Sequence, residues 1–305
     1  MKILNGILET IGNTPLIRLP KYSEESGANI YVKLEKMNPT SSIKDRAAYE
    51  MIRTAEGEGV LKEGATIIEP TSGNTGVGIA MISAARGYKS IIVMPDTMSI
   101  ERRQLMSAFG AEVVLTPGSE GMAGALKKAE ELNKEIEGSW IAGQFSNTNN
   151  AKAHYKTTGP EIFEALDGKV DILVAGIGTG GTITGIGQYL KEKKADVRVV
   201  GVEPAASPLL TKGEAGAHKI QGIGANFIPD ILNKNVLDDV IVVENDDAIN
   251  QTVEMAKTEG LLCGISSGAA LYAGRQLASL PENKDRNIIV ILPDTGERYL
   301  STGIF

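Results

Sequence analysis

Nine short β-like runs, most of them separated by a helix-length segment, constrain this chain more than any other feature. They fall at 30–34, 66–69, 90–94, 112–115, 140–142, 171–177, 197–202, 240–243 and 287–292. Stretches patterned for helix lie between them, for example at 100–109, 121–137, 151–166 and 246–259. Parallel strands need a crossover of a dozen or more residues, usually a helix. Alternation of this kind therefore predicts an α/β fold of mostly parallel sheets flanked by helices. At 305 residues, 42% of them hydrophobic, the chain can bury two such cores. Two domains are expected because two ligand-type turns occur in separate halves. A boundary is expected in the polar run Asn147-Thr148-Asn149-Asn150.

Those two turns share one plan. Thr66-Ile67-Ile68-Glu69-Pro70 leads into Thr71-Ser72-Gly73-Asn74-Thr75-Gly76 and an apolar helix. Asp171-Ile172-Leu173-Val174-Ala175 leads into Gly176-Ile177-Gly178-Thr179-Gly180-Gly181-Thr182 and another helix. Each presents backbone N–H groups and the positive end of a helix, which suits an anion. The second loop allows close backbone approach at its glycines, and Thr179 and Thr182 add hydroxyl donors. Phosphate is its natural guest, although no Lys-Ser/Thr follows as in a Walker loop. The first loop has hydroxyls and an amide but no cationic side chain, which suits the carboxylate of a small substrate. Ser, Thr and Asn are also ordinary helix caps, and glycine often serves turn geometry alone.

The third element is Lys44, in Pro39-Thr40-Ser41-Ser42-Ile43-Lys44-Asp45-Arg46. With Ser41 or Ser42 as N-cap, Lys44 falls in the first turn of a helix running to about residue 58. The helix dipole disfavours a cation there, and an amine also sheltered from water gains nucleophilic character. A lone lysine is ordinarily a solvated surface residue; the two loops give this one a purpose. A sheltered amine, a phosphate cradle and a carboxylate cradle together describe a pyridoxal 5'-phosphate enzyme acting on amino acids.

A rival exists. Gly176-Ile177-Gly178-Thr179-Gly180-Gly181 also satisfies G-x-G-x-x-G, and Glu203 ends the next strand near the spacing of a ribose-binding acid. A dinucleotide-dependent oxidoreductase would follow, but it leaves Lys44 and the first loop without a role. Other classes are disfavoured. The net charge of −7 and the absence of a basic patch argue against nucleic acid. No apolar run reaches bilayer length. One cysteine, Cys263, precludes an intrachain disulfide and fits a reducing, cytoplasmic setting. The N-terminal residues do not read as a signal peptide. His154 and His218 lack metal-ligand spacing, so no metal is expected. Cys263 is expected in the core, and Asp294 as polar lining at the end of the last strand.

With these motifs in place, the sequence resembles the cysteine synthases (O-acetylserine sulfhydrylases) of the tryptophan synthase β-like, fold type II pyridoxal phosphate enzymes. The resemblance runs from Ile11-Gly12-Asn13-Thr14-Pro15-Leu16 through Ser42-Ile43-Lys44-Asp45-Arg46 and both loops. It continues through Gln144-Phe145, Thr157-Thr158-Gly159-Pro160-Glu161, Gln221-Gly222-Ile223-Gly224-Ala225 and Gly264-Ile265-Ser266-Ser267-Gly268 to Gly296-Glu297-Arg298-Tyr299-Leu300-Ser301-Thr302. It implies that Lys44 forms the Schiff base and moves the Cα proton, and that Gly178, Thr179, Gly180, Gly181 and Thr182 hold the phosphate. Thr71, Ser72, Gly73, Asn74 and Thr75 would hold the substrate carboxylate, with Asn74 also at the cofactor's ring hydroxyl, and Gln144 would approach the substrate. Ser266 would partner the pyridine nitrogen, unless it serves as the N-cap of the helix that follows; both roles are compatible. A hydroxyl, unlike a carboxylate, does not keep that nitrogen protonated, which favours loss of the β-substituent and then nucleophile addition.

The implied reaction is replacement of the acetate of O-acetyl-L-serine by sulfide, giving L-cysteine. Chemistry starting from L-cysteine with release of sulfide is the alternative. The resemblance also implies a homodimer and serine acetyltransferase as a possible partner. The implied organisation is a larger cofactor-phosphate domain of residues 1–37 and 151–305, and a smaller mobile domain of residues 38–150 with Lys44 and the substrate loop, the active site lying in a cleft between them. Two departures stand out: Thr40-Ser41 where most relatives carry glycine or Gly-Ser, and Asn226 where many carry glycine.

Overall fold

The computed structural model describes residues 3–305. In chain order the first elements are β1 (Leu16–Arg18), α1 (Pro20–Ser26), β2 (Asn29–Leu34), α2 (Lys44–Gly57), β3 (Thr66–Pro70), α3 (Asn74–Arg86) and β4 (Lys89–Pro95). There follow α4 (Ile100–Ala108), β5 (Glu112–Thr116), α5 (Gly121–Glu135), β6 (Trp140–Ile141), α6 (Asn149–Lys156), α7 (Thr158–Ala165), β7 (Ile172–Gly176) and α8 (Gly181–Lys193). The last are β8 (Arg198–Pro204), α9 (Leu209–Lys212), β9 (Asp239–Val243), α10 (Asn245–Glu259), α11 (Ile265–Ala278) and β10 (Asn287–Leu292). All nine β-like runs form strands, and the fold is α/β with mostly parallel sheets flanked by helices.

The chain divides into two compact units: Met1–Ile11 with Asn38–Asn150, and Gly12–Met37 with Ala151–Phe305. The smaller unit is built on a four-stranded parallel sheet of order β5-β4-β3-β6. Its central strand β3 is buried along its whole length. Alternation sends Ile67 into a core with Met51, Val77, Ile79 and Met106, and Ile68 into a second core with Ile91, Val93, Ala125 and Ala129. That is the two-sided burial expected of a parallel strand. Leu8 and Ile11 pack on the first of these cores, which is why the stretch to Ile11 groups with this unit.

The larger unit carries a six-stranded sheet of order β1-β2-β10-β7-β8-β9. Strand β2 pairs with β10 in parallel over six residues, Asn29↔Asn287 to Leu34↔Leu292. This ladder places 12–37 with the C-terminal half of the chain. Strand β1 was not foreseen: it is three residues long, too short for a periodic signal, and pairs antiparallel with β2. Two of the stretches that carry the resemblance, 11–16 and 157–161, serve this unit's framework. Lys33 is buried on β2, and its ammonium donates to Glu161 Oε2 at 2.6 Å; Glu161 Oε1 accepts from Asn13 N at 3.0 Å. Thr14 donates to the buried Glu35 at 2.6 Å.

The helix expected over 151–166 is two helices. Pro160 stands in the first turn of α7, and in a continuous helix its ring would strike the carbonyl of Lys156. The chain breaks at Thr157 (φ −126°, ψ −67°), whose hydroxyl donates to Ala153 O at 2.7 Å. Among the described residues no helix is long and apolar enough to cross a membrane.

Candidate active site

In the smaller unit Lys44 is the first residue of α2 and is half-buried. The expected cap is displaced: Ile43 holds the N-cap position, and Ser42 Oγ accepts from Lys44 N at 3.2 Å. The turn before the helix is fixed by Asp45, whose carboxylate accepts from Thr40 N at 2.7 Å and from the Thr40 hydroxyl. Ser41 lies in the left-handed region at φ 57°. Glycine adopts that conformation freely; serine occupies it under strain.

Thr71 to Thr75, the expected substrate loop, lie in the same unit, from the end of β3 into the first turn of α3. No side chain caps α3; Gly73 holds its N-cap position, and Thr71 Oγ1 accepts from Gly73 N at 3.2 Å. The start of α3 thus retains the anion-attracting backbone of an uncapped helix. Helix α3 approaches the first turn of α2 closely. A Cβ on Gly78 would lie 3.2 Å from Asp45 Oδ1 and 3.4 Å from Lys44 O. The first turn of α2, which holds Lys44, therefore packs against α3, the helix that follows residues 71–73. Gln144 joins them: Thr75 donates to Gln144 Oε1 at 2.6 Å, and both residues are buried.

Gln144 is held in turn by Glu69, which sequence reading passed over. The Glu69 carboxylate is fully buried and accepts from Gly143 N at 2.8 Å and Gln144 N at 3.3 Å. Burial pushes its pKa up to about 7, against the opposing pull of these amides and the Gln144 side chain. The available signal was an acid placed inside an otherwise apolar strand, Thr66-Ile67-Ile68-Glu69-Pro70.

In the larger unit the loop from β7 to α8 is built for close approach. Gly180 holds the N-cap of α8 at φ 82°, with no side-chain cap. Thr179 Oγ1 accepts from Gly181 N at 3.3 Å, and Thr182 Oγ1 lies 3.3 Å from His154 Nε2. His154 is itself buried and bonded to Thr158 at 2.9 Å. A Cβ on Gly178 would stand 2.5 Å from Gly222 O, and one on Gly222 would stand 3.4 Å from Ser266 Oγ. The glycine loop, the 221–225 segment and Ser266 thus adjoin, with glycine backbone where side chains would fill the space. Ser266 is buried in the first turn of α11 but does not cap it; Gly264 does, because the helix begins at Ile265. An uncapped helix end with two threonines beside a buried hydroxyl fits a phosphate with an aromatic nitrogen near it.

The other residues marked in the sequence have these surroundings. The Glu203 carboxylate accepts from Leu210 N (2.8 Å), Thr211 N (3.0 Å) and the Thr211 hydroxyl (2.6 Å). It is committed to its own chain, which removes the acid from the dinucleotide interpretation. His218 Nε2 bonds Gly224 O at 2.9 Å. Cys263 is fully buried, and burial pushes its thiol up to about 12. Asp294 accepts from Tyr299 at 2.7 Å. Asn226 is left-handed at φ 62°, and its Oδ1 accepts from Ser207 at 2.8 Å. Among the described residues no group of His, Cys, Asp and Glu is arranged to hold a metal ion.

Comparison with known proteins agrees with this geometry. A cysteine synthase of Staphylococcus aureus is 50% identical over 305 residues, covering 100% of this chain and 98% of the relative. The crystal structure of a cysteine synthase from Entamoeba histolytica matches with TM-score 0.97 and 45% identity, over 100% of this chain and 91% of that one. A hydrogen sulfide-producing enzyme from Fusobacterium nucleatum matches with TM-score 0.93 and 48% identity, over 97% and 100%. Residues 7–294 match the family described as pyridoxal-phosphate dependent enzymes. With a buried amine-bearing turn in one unit, a glycine-lined anion cradle in the other and similarity along its whole length, the chain belongs to the pyridoxal-phosphate dependent enzyme family, and pyridoxal phosphate is its cofactor.

Proposed function

We propose that this enzyme is a cysteine synthase, replacing the acetate of O-acetyl-L-serine by sulfide to give L-cysteine. The observation that carries the choice of reaction is the hydroxyl of Ser266 across Gly222 from the phosphate-type loop, where other pyridoxal enzymes place a carboxylate. Pyridoxal phosphate, when bound, supplies the electron sink that lets the substrate Cα–H bond break. Gly178, Thr179, Gly180, Gly181 and Thr182 would hold its phosphate, and Lys44 its aldehyde. Asn74 would reach its ring hydroxyl. Ser266 would donate a hydrogen bond to the ring nitrogen without delivering a proton, which would favour loss of the β-acetoxy group. The amine of Lys44 removes the Cα proton and returns one after sulfide has added. Thr71, Ser72, Gly73, Asn74 and Thr75 bind the substrate carboxylate at the uncapped end of α3, and Gln144 orients it.

The test has two arms. Borohydride reduction of the yellow protein should leave a cofactor-sized mass on the peptide holding Lys44, and the protein should form cysteine from O-acetylserine and sulfide. A fully loaded protein with no turnover would reject the substrate. A second reading takes L-cysteine as first substrate and releases sulfide. It draws on Asn226 in place of glycine and on the similarity to the sulfide-producing enzyme. A higher rate with cysteine than with O-acetylserine would select it. A cytoplasmic homodimer, with serine acetyltransferase as a possible partner, belongs to the same proposal; sedimentation with and without that acetyltransferase checks both.

A further inference from the structure

The Gly143 and Gln144 amides, just beyond β6, have no strand to pair with. Strand β6 pairs with β3 at Ile67↔Trp140 and Ile68↔Ile141, and Ala142 N donates to Ile68 O at 3.1 Å. There the ladder ends, because Gly143 turns the chain at φ 68°. The next two N–H groups, Gly143 and Gln144, point instead at the carboxylate of Glu69. A buried side chain has replaced a strand. Three further bonds finish the turn: Ser146 N and Asn147 N donate to Gly143 O at 3.0 and 2.8 Å, and Asn150 Nδ2 donates to Gln144 O at 2.8 Å.

We propose that Glu69 is a positioning residue for the amino-acid substrate: its carboxylate fixes the Gly143–Gln144 turn and so aims the Gln144 carboxamide and the Thr75 hydroxyl. This deepens the function proposed above and rests on it for the identity of the substrate. An acid is needed at this position because two N–H groups must be accepted at once, one per oxygen. A neutral carboxyl or a glutamine offers one good acceptor and one donor, and a donor facing an N–H is repelled. Protonating Glu69 therefore releases one side of the turn, loosening Gln144 and its bond to Thr75.

The carboxylate changes state near neutrality, since full burial outweighs the two amides and the Gln144 side chain. Burial, the two amides and the Gln144 side chain set the direction of this shift; the charged residues on the neighbouring elements are Lys44, Asp45, Arg46 and Glu50 of α2, Arg86 of α3 and Lys89 of β4. The substrate half of the site is then tightest above neutral pH and slackens below it.

The experiment uses the pyridoxal phosphate-loaded protein, selectively labelled with 13C in its glutamate carboxyls and 15N in its backbone. In the wild type one carboxyl resonance, absent from E69Q, should titrate near pH 7, and the Gly143 and Gln144 amides should move with the same midpoint. In E69Q those amides should show no such midpoint. For O-acetylserine, E69Q should raise KM at least tenfold with kcat within threefold, and lose the wild-type dependence of KM on pH between 6 and 8. E69D keeps the charge but shortens its reach, so it should raise KM and retain a pH dependence. Amides that do not follow the carboxyl, or an E69Q protein with wild-type KM or wild-type pH dependence, would overturn the proposal. A wild type that fails to turn over O-acetylserine refutes the substrate instead, and the amide titration then decides the role of Glu69 by itself.

Discussion

Replacing Gly178 by alanine tests the cofactor cradle with one methyl group. The added Cβ would lie 2.5 Å from Gly222 O, a backbone atom that can retreat only with its chain. Ordinary contacts begin near 3.4 Å, so a displacement of roughly 0.9 Å is required at the loop that also adjoins Ser266. Overpacking of this kind costs about 1–3 kcal/mol. A unit of this size loses about 2–4 °C of Tm per kcal/mol. The cofactor-free G178A protein should therefore melt roughly 2–12 °C below the wild type, read by circular dichroism. Binding should suffer separately, because the moved backbone no longer converges on the phosphate. Each 1.4 kcal/mol lost there is about a tenfold rise in Kd. Titration followed by absorbance should show pyridoxal phosphate weakened at least tenfold, and phosphate-free pyridoxal weakened much less. Unchanged melting together with a Kd within twofold would refute the placement of the cradle at 178–182.

Two further outcomes follow from burial. Glu69 has a folded pKa of about 7, raised from 4.5 by burial, so between these values the folded protein holds a proton that the unfolded chain has lost. Its stabilising contribution is complete below about pH 4.5 and disappears as pH rises through 7. The loss amounts to about 3 kcal/mol at 1.36 kcal/mol per unit. Urea unfolding at pH 5 and pH 8 should show this decline in the wild type and not in E69Q; parallel declines would contradict it. Cys263, its thiol pushed up to about 12 and its side chain fully buried, should not react with a disulfide reagent at pH 8 until the protein is unfolded in denaturant, when one equivalent should react at once. Rapid labelling of the native protein would show the thiol to be accessible.

Local chemistry was legible in the sequence because it repeats at short range. Strand and helix periods, glycine at the start of a helix, and hydroxyls clustered in a loop are all set within a few residues. That sufficed for the α/β class, for both loops, and for Lys44 at the head of α2. The resemblance added Ser266 as a hydroxyl partner, and the helix starts two residues earlier than a serine cap at 266 would require. Helix 151–166 was misjudged because apolar spacing outweighed Pro160, whose ring forbids the carbonyl four residues before it.

Tertiary structure alone decided the rest. Glu203 matched a ribose-binding acid by spacing, yet folding brings three donors of 210–211 onto it. Segment 12–37 joins the distant C-terminal half through the β2–β10 ladder, a pairing across more than 250 residues that carries no local mark. Glu69 meets Gly143 across 74 positions. Sequence determines what each segment can donate, accept or bury. Which donor meets which acceptor is fixed only when sheets close and water leaves, because an unpaired buried polar group costs more than the net worth of the bond it lacks.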